Sequence, residues 1–315
     1  MLNHTVSVIL PTYNRPERLR CSVKSVHNQT IDNIELIIVD DHSTPSAKEA
    51  ISDVDLSSIS DIVYLRHDRN MGQNVARNTG IKEAGGEFIA LLDDDDIWLE
   101  EKLERQLNTF QQSDDKVGVV FTGHKQVNEQ GEIIGYSSSD ASGDLTEYIL
   151  SGGELSPTSG IMARMEAVEK GGLFDENCPL YTDKDWLLQL STSCTFESIP
   201  DPLFIRRIGS PDRISNNFEM KRDVAIPYWI EKYRSMARDH GWVCERRFMS
   251  QMMFHVGRSG VKYKYFSDAR KYLFKSILYY PFRLGPYLYF TVALCGPKGY
   301  RLGMKYKKLA LKLNK

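Results

Sequence analysis

Apolar residues in the first two thirds of the chain gather in short runs, and between the runs the spacing changes character. Runs of aliphatic and β-branched residues occupy residues 5–10 (TVSVIL), 34–39 (IELIIV), 62–65, 88–92 (FIALL) and 117–122. Such runs suit strands buried on both faces. Between them the apolar positions fall three and four apart. Leu19, Val23 and Val26 share one side of a helix that Asn14, Pro16 and Glu17 can start. The middle of RNMGQNVARNTGIKEAGG reads as a second helix, stopped by Gly85 and Gly86. Residues 98–112 place Leu99, Leu103, Leu107 and Phe110 on one stripe of a third. Strand, helix and strand in alternation predict an α/β fold with a mainly parallel sheet flanked by helices.

Further along, residues 126–134 carry a hairpin pattern around Gln130 and Gly131, and residues 137–144 are small and polar, as in a surface loop. Residues 156–176 suggest a strand and a short helix stopped at Gly171 and Gly172. A helix bearing Trp186, Leu187 and Leu190 follows, with Asp183 and Asp185 just before it. From about residue 216 the strand pattern gives way to helical segments. The expected division is therefore 1–215, in halves 1–96 and 97–215, followed by a helical C-terminal extension, 216–315.

Charge separates the same two parts. The net charge of −2 combines +12 from Ser259 onward, where 13 Lys or Arg face one acid, Asp268, with −14 before it. That acidic majority speaks against nucleic acid as a partner. The end of the chain is aromatic around Pro281 and Pro286 and purely basic from Lys298 to Lys315. This suits peripheral contact with an anionic membrane leaflet, or a helical cap with a solvated tail. No apolar run approaches the roughly 20 residues of a span, and MLNHTVSVILPT lacks the basic start of a secretory leader. The five cysteines show no paired spacing and read as thiols of a reducing compartment. A cytoplasmic protein, or one on the cytoplasmic face of a membrane, is expected.

The chemistry concentrates where the run at 88–92 ends in Asp93, Asp94, Asp95 and Asp96. Adjacent carboxylates repel, and a cation with oxygen ligands would relieve them. An acidic first turn for the next helix is the plainer reading. Other strand ends at the same edge carry Pro11 to Tyr13 and Asp40 and Asp41, where open sheets bind ligands. No glycine-rich loop follows the first strand, which excludes a dinucleotide-dependent oxidoreductase and argues against a nucleotidyltransferase.

In order, VSVILPTYNRPERL, ELIIVDDHST, RNMGQNVARNTG, EFIALLDDDDIW, GGLFDE and TDKDWLLQL resemble the family 2 glycosyltransferases of GT-A fold, from about Val6 to Ser215. The resemblance implies an inverting enzyme that moves a sugar from a nucleoside diphosphate to a hydroxyl of a saccharide or lipid-linked acceptor, in cell-surface polysaccharide synthesis. An inactive relative that binds sugar nucleotides is the alternative. Residues 1–96 would be the nucleotide half and 97–215 the acceptor half.

Pro11, Thr12 and Tyr13 would line the nucleotide pocket. Asp41 would accept a hydrogen bond from a pyrimidine base, favouring a UDP- or dTDP-type donor, with Asp40 supporting the strand end. Arg77 would flank base and diphosphate. Asp93 and Asp95 match the family's Asp-x-Asp for Mn²⁺ or Mg²⁺ and ribose, with Asp94 in the variable slot and Asp96 as helper. Asp183 matches the catalytic base, although Thr182 stands where a Glu is usual, so Asp185 is a rival. Arg206 and Arg207 would meet the departing diphosphate.

Overall fold

The computed structural model of the chain describes residues 6–208, 217–297 and 299. The expected boundary at residue 215 and, Gly299 excepted, the basic end from Lys298 to Lys315 lie outside the described residues. The chain forms two compact units. One takes in residues 6–146, 154–177 and 181–208, and the other residues 147–153, 178–180 and the chain from 217 on.

In the first unit, β1 (Val6–Thr12), α1 (Pro16–His27), β2 (Ile34–Asp40), α2 (Ala47–Ala50), β3 (Asp61–Arg66), α3 (Gln73–Glu83) and β4 (Phe88–Leu91) alternate as the apolar spacing predicts. The short β5 (Asp96–Trp98), α4 (Lys102–Gln112) and the long β6 (Val117–Val127), paired with β7 (Ile133–Ser137), follow. Next come α5 (Thr146–Leu150), which runs on into the second unit, β8 (Ile161–Arg164), α6 (Met165–Gly171), α7 (Thr182–Leu190) and β9 (Thr195–Arg207).

The strands make one sheet in the order β3-β2-β1-β4-β8-β6-β9-β5, with β7 on β6. Strands β3, β2, β1 and β4 are parallel, as are β6 and β9, whereas β8, β5 and β7 pair antiparallel. Its centre is dry: Val8, Leu10, Leu36 and Ile38 are fully buried in one cluster with Leu19, Val23 and Val26 of α1, and Ile9 and Ile37, also fully buried, lie on the α3 side. Each such side chain contributes about 1.5–3 kcal/mol by leaving water. The polar interruptions are satisfied, since the Ser7 hydroxyl and the Gly85 N–H both donate to Glu35. Helix α3 lies close on the sheet because Gly80 has no side chain; a Cβ there would sit 2.6 Å from Ile9 Cγ2.

One expected element is corrected. The helix foreseen over residues 98–112 begins only at Lys102. Residues Asp96–Trp98 extend instead and pair antiparallel with Phe204–Arg206 of β9, and the Leu99 N–H bonds to Leu203 O. The helical spacing of Trp98 and Leu99 is overridden by that pairing and by the Trp98 indole, whose N–H donates to Ser159 O at 2.7 Å.

The second unit is helical. Asn217 caps α8 (Phe218–Met220), which passes through a π turn (Lys221–Ala225) into α9 (Ile226–Asp239). Then follow α10 (Trp242–Lys262), α11 (Phe266–Tyr279) and α12 (Leu284–Leu294). Residues 178–180 belong here because the Trp229 indole donates to Leu180 O at 3.0 Å, and residues 147–153 because Arg247 reaches Glu147 at 3.5 Å. Among the described residues no helix is long and apolar enough to cross a membrane.

Candidate functional site

The ends of β1, β2 and β4 and the start of α7 bring the predicted residues to one edge of the first unit's sheet. Beyond β4 the chain turns through Asp93, Asp94 and Asp95, and Ser22 of α1 pins this turn by donating to the carbonyls of Asp94 and Asp96. The four carboxylates then meet four different surroundings. Asp93 is paired with Arg77 at 2.6 Å. Asp94 accepts from the Thr12 hydroxyl and from Arg15, each at 2.8 Å. Among the described residues Asp95 has Arg15 and Arg18, both at 3.7 Å. Asp96 is buried and accepts from the Ser159 hydroxyl at 2.6 Å, a hydroxyl that also accepts the Asp93 N–H.

Burial dominates the electrostatics. It pushes the Asp94 carboxyl up to about 6 against the pull of Arg15, and raises Asp96 well above the usual range, helped by the charges of Asp95 and Asp93. The guanidiniums therefore neutralise only part of the run. Carboxylate oxygens of Asp93, Asp95 and Asp96 lie within 4.8 Å of one another, a set of hard donors that fits Mg²⁺ or Mn²⁺. Asp94, turned toward Thr12 and Arg15, is outside this set.

Arg77, on α3, is 3% exposed and connects the carboxylates to α7. Its guanidinium lies 5.1 Å from the Phe174 ring, holds Asp93 and reaches Thr182 Oγ1 at 3.4 Å, while its buried Nε has no hydrogen-bond partner. Thr182 is the first residue of α7, so both acids expected to precede that helix lie within its first turn. Asp183 is half-buried, with a carboxylate that accepts the Lys184 N–H. Asp185 points inward: it is fully buried and accepts from the Gln189 amide at 2.7 Å.

The β2 acids are engaged locally. Asp40 accepts the N–H groups of Ser43 and Ala47 and pairs with Arg66 at 2.6 Å. Asp41 accepts the N–H groups of Met71 and Gly72 at 2.7 and 2.8 Å and faces His67 Nδ1 at 2.7 Å. It thereby fixes the loop into α3, where Gly72 adopts a φ of +92°. Pro11, next to last in β1, is half-buried, and Tyr13, just beyond the strand, is 45% exposed.

On β9, Arg206 lies opposite Asp96 of β5 and Gln126 of β6. Alternation along the strand sends Arg207 to the other face of the sheet. Arg206, after burial, also helps hold the neighbouring His124 imidazole down to about 4. The sequence reading missed Arg15, Arg18, Ser22 and Ser159. The two arginines had a visible signal, since they follow the β1 end within TYNRPERL. The serines had none.

A profile of glycosyl transferase family 2 matches residues 7–153. An uncharacterized glycosyltransferase of Nostoc sp. is 36% identical over 173 residues, 52% of this chain and 52% of that protein. The Escherichia coli protein named UDP-Glc:alpha-D-GlcNAc-diphosphoundecaprenol beta-1,3-glucosyltransferase WfgD is 40% identical over 108 residues, 34% of this chain and 42% of WfgD. The matches span about half the length, or less, of these curated relatives. Among solved structures, S. aureus TarS 1-349 in complex with UDP-GlcNAc superposes with a TM-score of 0.63 at 18% identity, covering 95% of this chain and 92% of that one. Residues 7–153 thus resemble glycosyl transferase family 2, and the fold of the chain is GT-A.

Proposed function

We propose that the protein is a metal-dependent, inverting transferase that moves a sugar from a UDP- or dTDP-type donor to a hydroxyl of a saccharide or lipid-linked acceptor. It would serve cell-surface polysaccharide synthesis at the cytoplasmic face of a membrane. One observation carries this reading: a carboxylate triad within 4.8 Å is joined through Arg77 to Thr182, next to the half-buried Asp183. The activity in the name of WfgD and the UDP-GlcNAc bound to TarS support the donor and acceptor classes.

Asp93, Asp95 and Asp96 would hold Mn²⁺ or Mg²⁺, which when bound supplies Lewis-acid stabilisation of the departing diphosphate. Arg206, on the same face as Asp96, would share that charge, and Arg77, paired with Asp93, would add a second cation beside it. Tyr13 would offer its exposed ring to the base, near the strand end that carries Asp41. Asp183 would take the proton of the acceptor hydroxyl as its oxygen bonds to the anomeric carbon. The bond to the diphosphate breaks in the same step, its electron pair leaves with the phosphate oxygen, and the anomeric configuration inverts. Asp185 is a poor base because Gln189 and burial already occupy it.

Asp183→Asn should lower turnover about 10²–10⁴-fold while calorimetry still reads wild-type affinity for a UDP-sugar. Asp95→Asn should abolish the Mn²⁺ dependence of donor binding. Asp185→Asn should lower thermal stability and leave turnover per folded molecule intact. Normal turnover in Asp183→Asn would remove the assigned base.

A further inference from the structure

Helix α12, LGPYLYFTVAL, contains no charged residue. Its inner side packs Ala293, Tyr289, Phe290 and Val292 with Leu273 of α11 and Val261 of α10. A soluble helix normally turns polar residues outward. Here the outward positions are Leu284, Tyr287, Leu288, Thr291 and Leu294, of which Leu284 is 84% and Leu288 66% exposed. The stripe continues across the neighbouring elements. Phe282, in the turn between α11 and α12, is 81% exposed. Helix α11 exposes Lys271, Phe274, Lys275 and Leu278, three and four apart, and the Phe274 ring lies 6.3 Å from that of Phe290. Apolar groups are thus interleaved with cations. Asp268, the one acid from Ser259 to the end, is withdrawn from this face by Arg222 at 3.0 Å.

We propose that the outward face of α11 and α12 docks this protein onto an anionic phospholipid bilayer, with Leu284, Leu288 and Phe282 at the depth of the acyl boundary and Lys271 and Lys275 against phosphates. Charge chooses the occupant. Two copies packed on this face would bring two cation-bearing surfaces together, whereas an anionic leaflet answers both the apolar stripe and the cations. At 11 residues α12 is far too short to cross a bilayer, so the contact lies along the surface. The proposal deepens the lipid-linked acceptor reading and depends on it only for its purpose, because lipid binding is measured without turnover.

The test is co-sedimentation of the full chain with vesicles of phosphatidylglycerol and phosphatidylcholine, against phosphatidylcholine alone. The anionic vesicles should bind at least about tenfold more protein, and high salt should cancel the difference. Leu284→Ser with Leu288→Ser should lower binding about tenfold or more on anionic vesicles. Lys271→Gln with Lys275→Gln should lower it about tenfold on anionic vesicles and leave neutral ones unchanged. All four side chains are exposed, so both variants should melt with the wild type. Equal binding to both kinds of vesicle, or binding that survives both double variants, overturns the proposal. So does a leucine variant that breaks a dimer in velocity sedimentation when the wild type ignores vesicles.

Discussion

Ser159 shows how much of the site depends on a residue with no charge. Its hydroxyl donates to Asp96 and accepts the Asp93 N–H, while its carbonyl takes the Trp98 indole, so one serine sets two members of the carboxylate triad. Groups that orient metal ligands typically weigh 10–100-fold in affinity. Ser159→Ala should therefore weaken Mn²⁺ about tenfold in a spin-resonance titration without donor, and an unchanged titration would strip Ser159 of this role. Little of this was visible beforehand. The acidic run announced itself because four like charges at a strand end have few structural uses. Ser159 lies 63 positions from Asp96, and nothing local marks a serine whose partner arrives only through the antiparallel pairing of β8. Arg15 and Arg18 were legible as cations, but not as the partners of Asp94 and Asp95, since α1 had to fold back over the turn first.

At the scale of elements, periodicity predicted what local burial decides and failed where a distant strand intervenes. Helix α1 and strands β1, β2 and β4 follow their apolar spacing closely. Residues 96–99 do not, because β9 offers backbone partners that outweigh the helical spacing of Trp98 and Leu99. The shortened α4 buries Lys102, whose Nζ lies 4.0 Å from the Trp98 ring and donates to Gln106 at 2.7 Å, a placement no amphipathic pattern foretells. The seat of α3 is equally specific. Gly80→Ala would favour the helix by about 1 kcal/mol on propensity alone. The added methyl meets fully buried Ile9 and Val39, and overpacking there costs about 1–3 kcal/mol. A net fall in the urea midpoint at unchanged slope is expected, and a rise would show that α3 can slide.

For the whole molecule, the arrangement of chain between the two units matters more than the number of residues in each. The sequence pattern suggested one cut near residue 215, and we propose that the catalytic part extends that far. A fragment ending there would nevertheless keep residues 147–153 and 178–180 without the helices that hold them, leaving Leu180 O without the Trp229 indole and Glu147 without Arg247. Such a fragment should melt several degrees below the full chain by calorimetry; equal melting would show that the helical unit is dispensable for stability. The backbone passes from one unit to the other near residues 146, 153, 177 and 180, and once more between residues 208 and 217. Domain shuffling through a single crossover is thereby closed to this architecture: a hybrid gene that swaps only the C-terminal third inherits two orphaned segments from the other parent. Relatives could diversify the helical part only by changing it in step with these inserts, so the two must drift together.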